Sequence, residues 1–502
     1  MTGKHMCFSN GLKKYLAASA AFLMSSCALV QYQPLQTIQT VDTGKGYRLE
    51  KNFNRAGADD TFVILMFSGG GTRAAALGYG VLEELNRQKI NFGSKEQSLL
   101  ESVDLVYGVS GGSVLAAYFS LHGKETVPAF ERRFLKQNFQ RQFTKQVFSF
   151  ANLPRLTSPE YGRGDLLQEQ FENTLFRNAT FDDLDKRRKG PFAVISATDM
   201  AAGSRLDFIQ EHFDAMCLNL SDLRIARAVA ASSAVPLVFS PITLNNNGGN
   251  CGYVLPERLR HTPTNGSVGR LQQQTRQELT HTYHSQYNDS AKRPYIHLLD
   301  GGLTDNLGLR GVLDIVDARS GEALQKQVTA ENIRRIVIIN VNAQNQITSR
   351  IDQSPAIPGF ADVVAAIVDI PIDKYSQESL RRFRAFADQW NENAAKQPDG
   401  EKRSMYFVSL NLRDLPESQL RKNVLNIPTT FYLPHNDIND LKSAARALLQ
   451  QSGEYKRLLK DFSAQPAQPA ETETARPVWF VGEGPQLPGK SAKTGYDAPW
   501  AQ

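Results

Sequence analysis

Residues 104–117 read DLVYGVSGGSVLAA. The apolar run at residues 104–109 predicts a strand, and the small and apolar residues after it predict a helix. A serine on a sharp strand-to-helix turn needs small residues two positions before and after it, because the turn brings backbone segments into contact. Gly108 and Gly112 meet that need around Ser110. The pattern predicts either a turn that presents Ser110 as a nucleophile or a purely structural turn.

The same order of strand, turn and helix occurs elsewhere in the chain. TFVILMF at residues 61–67 is a continuous apolar run, which is typical of a strand buried on both faces. Strands that alternate with helices predict an α/β fold with a largely parallel sheet and helices on both faces. The other stretches that indicate this pattern are FAVISATDM (192–200), LRIARAVAAS (223–232), YIHLL (295–299) and IRRIVIINV (333–341).

Composition divides the chain into segments. The composition of residues 1–26 predicts that they are an export leader, and the polar composition of residues 27–60 predicts a tether. Residues 463–502 are rich in Pro, Ala and Gly and predict a disordered tail. A single domain is predicted over residues 61–462, with its core at 61–345, a polar surface insertion at 244–294 and a C-terminal part at 346–462.

The leader has the features of a bacterial lipoprotein signal. Three lysines precede an apolar stretch at residues 16–24, which is far shorter than the roughly 20 residues that span a bilayer. LMSSC at residues 23–27 resembles the lipobox, in which cleavage before the cysteine leaves that residue carrying lipid. We expect Cys27 to anchor the protein to a membrane surface of the bacterial cell envelope, in the outer membrane facing the periplasm. An ordinary secretory signal with an incidental cysteine is the alternative.

Charge and cysteine usage limit the kinds of partner. Removal of residues 1–26 takes away three lysines and no acid, so the formal charge falls from +6 to +3 and gives no support for nucleic-acid binding. Cys217 and Cys251 remain after the leader, and their spacing leaves open whether they form a disulfide. The chain has no Cys-x-x-Cys pair, so no zinc site is expected.

A glycine-rich loop, SGGGTR at residues 68–73, follows the first predicted strand. Glycines let backbone amides face a ligand, and the N-terminus of the next helix favours an anion. The amides of Gly69, Gly70 and Gly71 are therefore candidate donors to an oxyanion. Arg73 is expected either to hold the loop in shape or to attract a phosphate.

A plain glycine turn and a dinucleotide-binding turn are alternatives for this loop. Gly69, Gly71 and Ala74 match the pattern G-x-G-x-x-A. Ribose recognition needs an acid at the end of the next strand, whereas that strand has its acid at the start and ends at Ser110. No nucleotide partner is expected.

The candidate base is Asp300, in HLLDGGLTDNLGL at residues 297–309. It ends an apolar strand and is followed by Gly301 and Gly302. We expect Asp300 and Ser110 to meet at the carboxyl edge of one parallel sheet. The pKa of a free Asp is near 3.9, and partial burial raises it toward the range of a general base.

Two other residues compete for a role near this base. Asp305 is a nearby carboxylate and is expected to cap the following turn. His435 is the only histidine that follows Asp300, so a Ser-His-Asp triad in the usual hydrolase order would have to use it. His435 also fits a surface position near a helix cap.

Together these motifs resemble the patatin-like phospholipase family. The matching stretches are GGGTR (69–73), GVSGG (108–112), ASSAVPLVFSP (231–241) and DGG (300–302), and the resemblance covers residues 61–345 and continues more weakly beyond. It implies a three-layer α/β/α fold and a Ser-Asp dyad without histidine, with Ser110 as nucleophile, Asp300 as base and the amides of residues 69–71 as oxyanion donors. It also implies hydrolysis of carboxylic ester bonds in a phospholipid or other acyl ester through an acyl-enzyme, with no metal and no cofactor.

Two residues depart from the family pattern. Ser68 stands where the family often has Asp, and Ala74 stands where Gly is common, so the departures concern the geometry of the loop. The competing hypothesis for function is a catalytically idle envelope lipoprotein that binds lipid or a protein partner.

The segment AFERRFLKQNFQRQFTKQVFSF at residues 129–150 allows two interpretations. Phe130, Phe134, Phe139 and Phe143 recur at steps of four or five, with basic residues between them. One hypothesis is a basic amphipathic helix that contacts anionic lipid. The other, which we favour, is a helix that packs its Phe side chains in the core and exposes a basic face.

Overall fold

The structure, a computed structural model, describes residues 30–53, 60–92, 95–255, 286–319, 333–345, 355–398 and 402–463, with residues 278, 282 and 328. The predicted leader, Cys27 and the predicted tail after residue 463 lie outside the described residues. So does most of the predicted insertion between residues 256 and 285.

The centre of the fold is an eight-stranded sheet. The described strands are β1 Thr61–Phe67, β2 Lys89–Phe92, β3 Lys95–Ser98, β4 Val103–Val109, β5 Phe192–Asp199, β6 Ser204–Asp207, β7 Ile242–Asn245, β8 Tyr295–Asp300, β9 Arg335–Asn342 and β10 Ser404–Asn411. The sheet has the order β10-β9-β1-β4-β5-β8-β7, with β6 paired to β5, while β2 and β3 form a separate hairpin. The sheet is parallel from β10 to β5, and antiparallel pairing adds β6, β8 and β7.

Helices connect and cover these strands. The described α-helices are α1 Leu49–Phe53, α2 Gly71–Arg87, α3 Gly111–His122, α4 Thr126–Phe130, α5 Phe139–Val147, α6 Arg163–Phe171, α7 Phe181–Arg187, α8 Gln210–Ala215, α9 Ile225–Ser232, α10 Gly302–Asp305, α11 Leu309–Arg319, α12 Phe360–Ala395, α13 Gln419–Leu425, α14 His435–Gln451 and α15 Gly453–Ser463. Within the residues that the structure describes, no helix combines the length and apolarity needed to cross a bilayer.

The connections place helices on both faces of the sheet. The path from β1 through α2 to β4 moves one way along the sheet, and the path from β9 through α12 to β10 moves the other way. Right-handed crossovers that move in opposite directions place their helices on opposite faces. Accordingly, α2 packs with α3 and α14, whereas α12 packs with α10 and α11. The prediction of an α/β fold with a largely parallel sheet is confirmed.

The direction of β8 differs from the sequence prediction. β4 runs parallel to β5, with Val109 opposite Ser196, whereas β8 runs antiparallel to β5, with Asp300 opposite Ala197. Asp300 therefore does not end a parallel strand. It comes level with Ser110 because β8 enters beyond the carboxyl end of β4 and runs back along β5.

The predicted tether packs against the domain over part of its length. Tyr47 is fully buried, and its ring stacks on Phe192 with the ring centroids 4.0 Å apart. Arg48 and Asp214 form a buried ion pair at 2.8 Å. The prediction of a tether up to residue 60 is corrected here, because residues within the polar stretch have partners in the domain.

The ends of the predicted polar insertion also belong to the fold. Leu244 lies buried in β7, and Tyr287 is fully buried. Cys217 and Cys251, whose pairing the sequence left open, form a disulfide with their Cα atoms 5.6 Å apart. This bond joins the segment after β7 to the segment after α8.

The aromatic segment after α4 is packed mainly as a core element. Phe130, Phe134 and Phe139 are buried, and Phe143 is partly buried with its ring 5.2 Å from that of Phe239. The favoured hypothesis of core packing is therefore confirmed for the first three side chains. They are not available for contact with lipid.

Candidate active site

Ser110 occupies the turn between β4 and α3. Its φ of 51° lies in the left-handed region, which residues with a side chain rarely adopt, so the backbone of the turn is strained. A Cβ on Gly108 would lie 2.6 Å from the Cα of Ser113, and one on Gly112 would lie 2.5 Å from the carbonyl oxygen of Phe67. Glycine is required at both positions because the backbone of α3 occupies the space at Gly108 and the backbone at the end of β1 occupies the space at Gly112.

The Ser110 hydroxyl donates a hydrogen bond to the Asp300 carboxylate, with 2.7 Å between Oγ and Oδ2. The two residues are only 6% and 7% exposed. The second carboxylate oxygen, Oδ1, accepts a hydrogen bond from the Gly302 amide at 2.8 Å. The structure thus brings together the two residues that the sequence singled out.

Burial raises the pKa of Asp300 to about 6, and the hydrogen bonds from Ser110 and Gly302 oppose this rise. A carboxyl group with this pKa is mostly ionised at neutral pH. It is also a stronger proton acceptor than an exposed aspartate, whose pKa is near 3.9. The site therefore provides a carboxylate matched to proton transfer close to neutral pH.

Ser232, the last residue of α9, positions the backbone on both sides of the pair. Its hydroxyl accepts a hydrogen bond from the Ser110 amide at 2.9 Å and donates one to the Ser196 carbonyl at 2.6 Å. Its own carbonyl accepts a hydrogen bond from the Gly301 amide at 3.1 Å. Ser232 lies within the motif at residues 231–241, but no sequence pattern predicts this role, because its contacts join positions far apart in the chain.

The glycine loop lies directly against Ser110. Gly70 and Gly71 have φ values of 134° and 60°, which favour glycine. A Cβ on Gly69 would lie 3.4 Å from the Cβ of Ser110, and a Cβ on Gly111 would lie 2.0 Å from the carbonyl oxygen of Gly71. Gly111 carries no side chain because the backbones of the two turns approach so closely at this point.

The three predicted oxyanion donors differ in their hydrogen bonding. The Gly69 amide donates to Asn306, whose carbonyl oxygen and Oδ1 each lie 3.1 Å away. The amides of Gly70, Gly71 and Gly111 donate no hydrogen bond to another residue in the described ranges. Gly69 is therefore removed from the predicted donors, because Asn306 already accepts from its amide. Gly111 is a further candidate, which the position after the serine in the turn could have indicated.

Arg73 holds the loop in place. It is buried, and it donates hydrogen bonds to the carbonyl groups of Ala343 and Ile427, each at 2.7 Å. Burial lowers the pKa of Arg73 to about 10, and the charge of Asp369 opposes this change, so the guanidinium stays charged at neutral pH. These contacts match the expected role of holding the loop in shape.

Ser68 shows how the loop is built without the aspartate that the family often has there. Its hydroxyl donates to the carbonyl of Gly69 and accepts from the amide of Ala343, both at 2.9 Å. The side chain therefore ties the start of the loop to the end of β9. Ala74, the other departure, is buried in the first turn of α2.

The turn after Asp300 is fixed by close contacts. A Cβ on Gly301 would lie 2.2 Å from the carbonyl oxygen of Ser196. Asp305 accepts a hydrogen bond from the Gly311 amide at 3.1 Å, in agreement with a role in the following turn. Burial raises the pKa of Asp305 to about 6, and the charge of Arg205 opposes this rise.

His435, the alternative base, is exposed at the first position of α14. The hydrogen bonds described for the Ser110 hydroxyl and the Asp300 carboxylate join these groups to each other and to Gly302. None of them involves a histidine. These contacts give no support to a triad that uses His435.

Comparison with solved structures finds human GIVD cytosolic phospholipase A2, at 10% identity and a TM-score of 0.40, with 89% of this chain and 67% of that chain covered. The same human enzyme in complex with methyl gamma-linolenyl fluorophosphonate gives 11% identity and a TM-score of 0.41, with 86% and 66% covered. VipD from Legionella pneumophila gives 10% identity and a TM-score of 0.29, with 85% and 72% covered.

No curated protein sequence matches the chain. The family described as patatin-like phospholipase matches residues 65–313, which include β1, the glycine loop, Ser110 and Asp300. Residues 65–313 of the chain are therefore a patatin-like phospholipase domain.

Proposed function

We propose that the protein is a serine acyl hydrolase that cleaves carboxylic ester bonds of phospholipids, with Ser110 as the nucleophile and Asp300 as its base. The observation that carries the proposal is the 2.7 Å hydrogen bond from Ser110 Oγ to Asp300 Oδ2 at a buried strand-to-helix turn. The patatin-like phospholipase domain supports a lipid acyl ester as the class of substrate.

The first half of the reaction forms an acyl-enzyme. Ser110 Oγ attacks the carbonyl carbon of the ester, and Asp300 Oδ2 takes the hydroxyl proton. The electron pair of the carbonyl bond moves to its oxygen and gives a tetrahedral oxyanion. When the carbonyl re-forms, the bond to the lysophospholipid oxygen breaks and that oxygen receives the proton from Asp300.

The second half releases the fatty acid. Water attacks the carbonyl carbon of the acyl-enzyme and gives a proton to Asp300. Collapse of the second tetrahedral intermediate breaks the bond to Ser110 Oγ, which recovers the proton from Asp300. The cycle returns both side chains to their starting protonation states.

The amides of Gly70, Gly71 and Gly111 are the donors proposed for both oxyanions. They lie at the N-terminal ends of α2 and α3, where the helix dipoles favour negative charge. Loss of one such donor in a related type of site costs roughly 3 to 4 kcal/mol of transition-state stabilisation.

The test is hydrolysis of a short-chain p-nitrophenyl ester and of a phospholipid by purified variants. Ser110→Ala and Asp300→Asn are each expected to lower kcat/KM by at least about 1,000-fold, and His435→Ala is expected to keep it within about twofold. Unchanged hydrolysis by Ser110→Ala would refute the proposal, and an idle lipid-binding scaffold would hydrolyse neither substrate. Loss of activity in a folded His435→Ala would replace the dyad by a triad.

Ser233→Ala is the matched control for Ser110→Ala. Ser233 is fully buried, follows Ser232 directly, and its hydroxyl has no hydrogen-bond partner within the described ranges. Removal of that hydroxyl is expected to leave kcat/KM within about twofold of the wild-type value. A loss comparable to that of Ser110→Ala would mean that truncation of a buried serine, rather than loss of a nucleophile, explains the effect.

A further inference from the structure

Two segments of the surface expose large apolar side chains. After α5, Phe148 is 73% exposed, Phe150 is 91% exposed and Leu153 is 44% exposed. In the turn after α9, Leu237 and Val238 are 61% and 50% exposed. We call these five residues the apolar rim. Clustered exposed apolar side chains of this size are typical of binding surfaces.

Contacts of neighbouring residues connect the segments that carry the two parts of the apolar rim. The ring of Phe143 in α5 lies 5.2 Å from that of Phe239, the residue after Val238. The guanidinium of Arg163 donates a hydrogen bond to the carbonyl of Leu237 at 2.9 Å. α5, which precedes Phe148, and the start of α6 therefore both contact the segment that carries Leu237 and Val238.

The rim is also close in the chain to the catalytic pair. The Asp300 amide donates a hydrogen bond to the carbonyl of Ala234 at 3.0 Å. Leu237 is three residues after Ala234, and Ser232, which binds the Ser110 amide, is two residues before it. The second part of the rim therefore lies within a few residues of the contacts that hold Ser110 and Asp300.

The surface next to the rim carries positive charge. Residues 132–159 contain six Lys and Arg residues and no Asp or Glu, and two of the six, Lys136 and Arg155, form ion pairs with Glu131 and Glu169. Arg141 and Lys145 are exposed on α5, and Arg132 and Arg133 are exposed in the π-helical segment Glu131–Leu135 before it. Exposed apolar side chains beside exposed basic side chains match a bilayer with anionic headgroups. The apolar side chains can enter the boundary between headgroups and acyl chains while the basic side chains contact the headgroups.

We propose that the apolar rim and the basic surface of α5 form a docking site for an anionic phospholipid bilayer. Phe148 and Phe150 enter the boundary between headgroups and acyl chains, while Arg141 and Lys145 contact the headgroups. The site differs from the predicted lipid on Cys27, and it does not use Phe139, which is buried. It also does not depend on Ser110 chemistry, so binding and hydrolysis can be tested separately.

The experiment measures sedimentation of the full chain with vesicles of phosphatidylglycerol or of phosphatidylcholine. Every variant carries Cys27→Ser, which removes the residue predicted to be lipidated, and Ser110→Ala, which prevents hydrolysis of the vesicles. Phe148→Ser with Phe150→Ser is expected to weaken binding to both kinds of vesicle by at least about tenfold. Arg141→Glu with Lys145→Glu is expected to weaken binding to phosphatidylglycerol by at least about tenfold and to remove its advantage over phosphatidylcholine.

Matched controls lie elsewhere on the surface. Val254→Ser removes an apolar side chain that is 63% exposed, and Lys456→Glu with Lys460→Glu reverses two exposed charges on α15. α15 packs near the amino ends of β9 and β10, since Phe462 lies under Arg335 and Arg457 binds the Met405 carbonyl. These variants are expected to bind vesicles within about twofold of the parent. Equal losses in controls and rim variants would refute a local site, as would retained binding by the rim variants.

A fluorescent reporter gives a second readout. The tryptophan of Phe150→Trp is expected to be quenched by vesicles whose acyl chains carry bromine, and Val254→Trp is not. Absence of quenching at position 150 would contradict insertion into a bilayer. It is the result expected if the rim binds a protein instead. The variant with Phe148→Ser and Phe150→Ser that retains Ser110 is expected to hydrolyse a water-soluble ester at an unchanged rate. Its thermal unfolding midpoint is also expected to be unchanged. Those two results separate lost docking from lost catalysis or lost folding.

Discussion

Ser110 and Asp300 are both buried, but burial affects them differently. The serine hydroxyl is neutral, and its hydrogen bond to the carboxylate replaces one to water. The carboxylate loses hydration of a charge, and the groups that lower its pKa are the hydrogen bonds from Ser110 and Gly302. Desolvation dominates, so the same burial that strengthens Asp300 as a base also makes its ionised form costly.

Activity is expected to follow the ionisation of Asp300. Because the base must be ionised to accept the Ser110 proton, kcat/KM for a soluble ester should rise about tenfold per pH unit below pH 6 and level off above it. Asp305 is the control, since burial raises its pKa to about 6 as well. Asp305→Asn should keep the inflection near pH 6. Loss of the inflection in Asp305→Asn would contradict this prediction, because it would assign the pH dependence to Asp305 and not to Asp300.

The same group makes stability depend on pH. The pKa of Asp300 is raised from 3.8 to about 6 on folding, so its contribution to stability is fully present below 3.8 and is lost as the pH rises through 6. At 1.36 kcal/mol per pKa unit, this loss is at most about 3 kcal/mol. Asp300→Asn should therefore raise the free energy of unfolding relative to wild type at pH 8 and not at pH 4. Urea unfolding at the two pH values measures this, and a less stable variant at pH 8 would contradict it.

At the scale of elements, the site is made by turns whose backbones touch. The turn after β1, the turn after β4 and the turn after β8 meet around one hydrogen bond, and glycines occur wherever a Cβ would strike another backbone. The sequence predicts these turns because each glycine motif lies within a few consecutive residues, although the backbone that requires the glycine comes from another part of the chain. The acceptor of the Gly69 amide could not be predicted, since Asn306 lies 237 residues away in the chain.

Gly111→Ala tests this packing of turns. Alanine is the better helix former, by about 1 kcal/mol in a helix interior, so local propensity favours the variant. The added Cβ would lie 2.0 Å from the Gly71 carbonyl oxygen, so the glycine loop must move. We expect kcat/KM to fall by at least about 100-fold, as measured on the soluble ester. Gly453→Ala, with nothing within 4 Å of its added Cβ, should keep full activity.

At the scale of the whole molecule, the sequence predicted the strands and their sheet but not the direction of β8. Apolar runs such as residues 61–67 identify buried strands, since a strand covered on both faces must be apolar throughout. The direction of β8 depends on how a long connection returns to the sheet, which no local pattern records. The packing of Tyr47 and the pairing of Cys217 with Cys251 are likewise long-range contacts.

The disulfide is expected to contribute to overall stability. It closes a loop with a sequence separation of 34, for which the chain-entropy relation gives about 3 to 4 kcal/mol. Cys217→Ser with Cys251→Ser should lower the free energy of unfolding by that amount, as measured by urea titration. Wild type treated with a reductant should unfold at the same urea concentration as the variant. Equal stability of oxidised and reduced wild type would contradict this contribution.

The central claim is that Ser110 is a nucleophile activated by Asp300 without a histidine. An alkyl fluorophosphonate reacts with activated serines, so peptide mapping by mass spectrometry after labelling identifies the nucleophile directly. We predict one adduct, on the peptide that contains Ser110, in wild type and in His435→Ala. Labelling should be at least about 100-fold slower in Asp300→Asn and absent in Ser110→Ala. An adduct on another serine, or loss of labelling in a folded His435→Ala, would contradict the account.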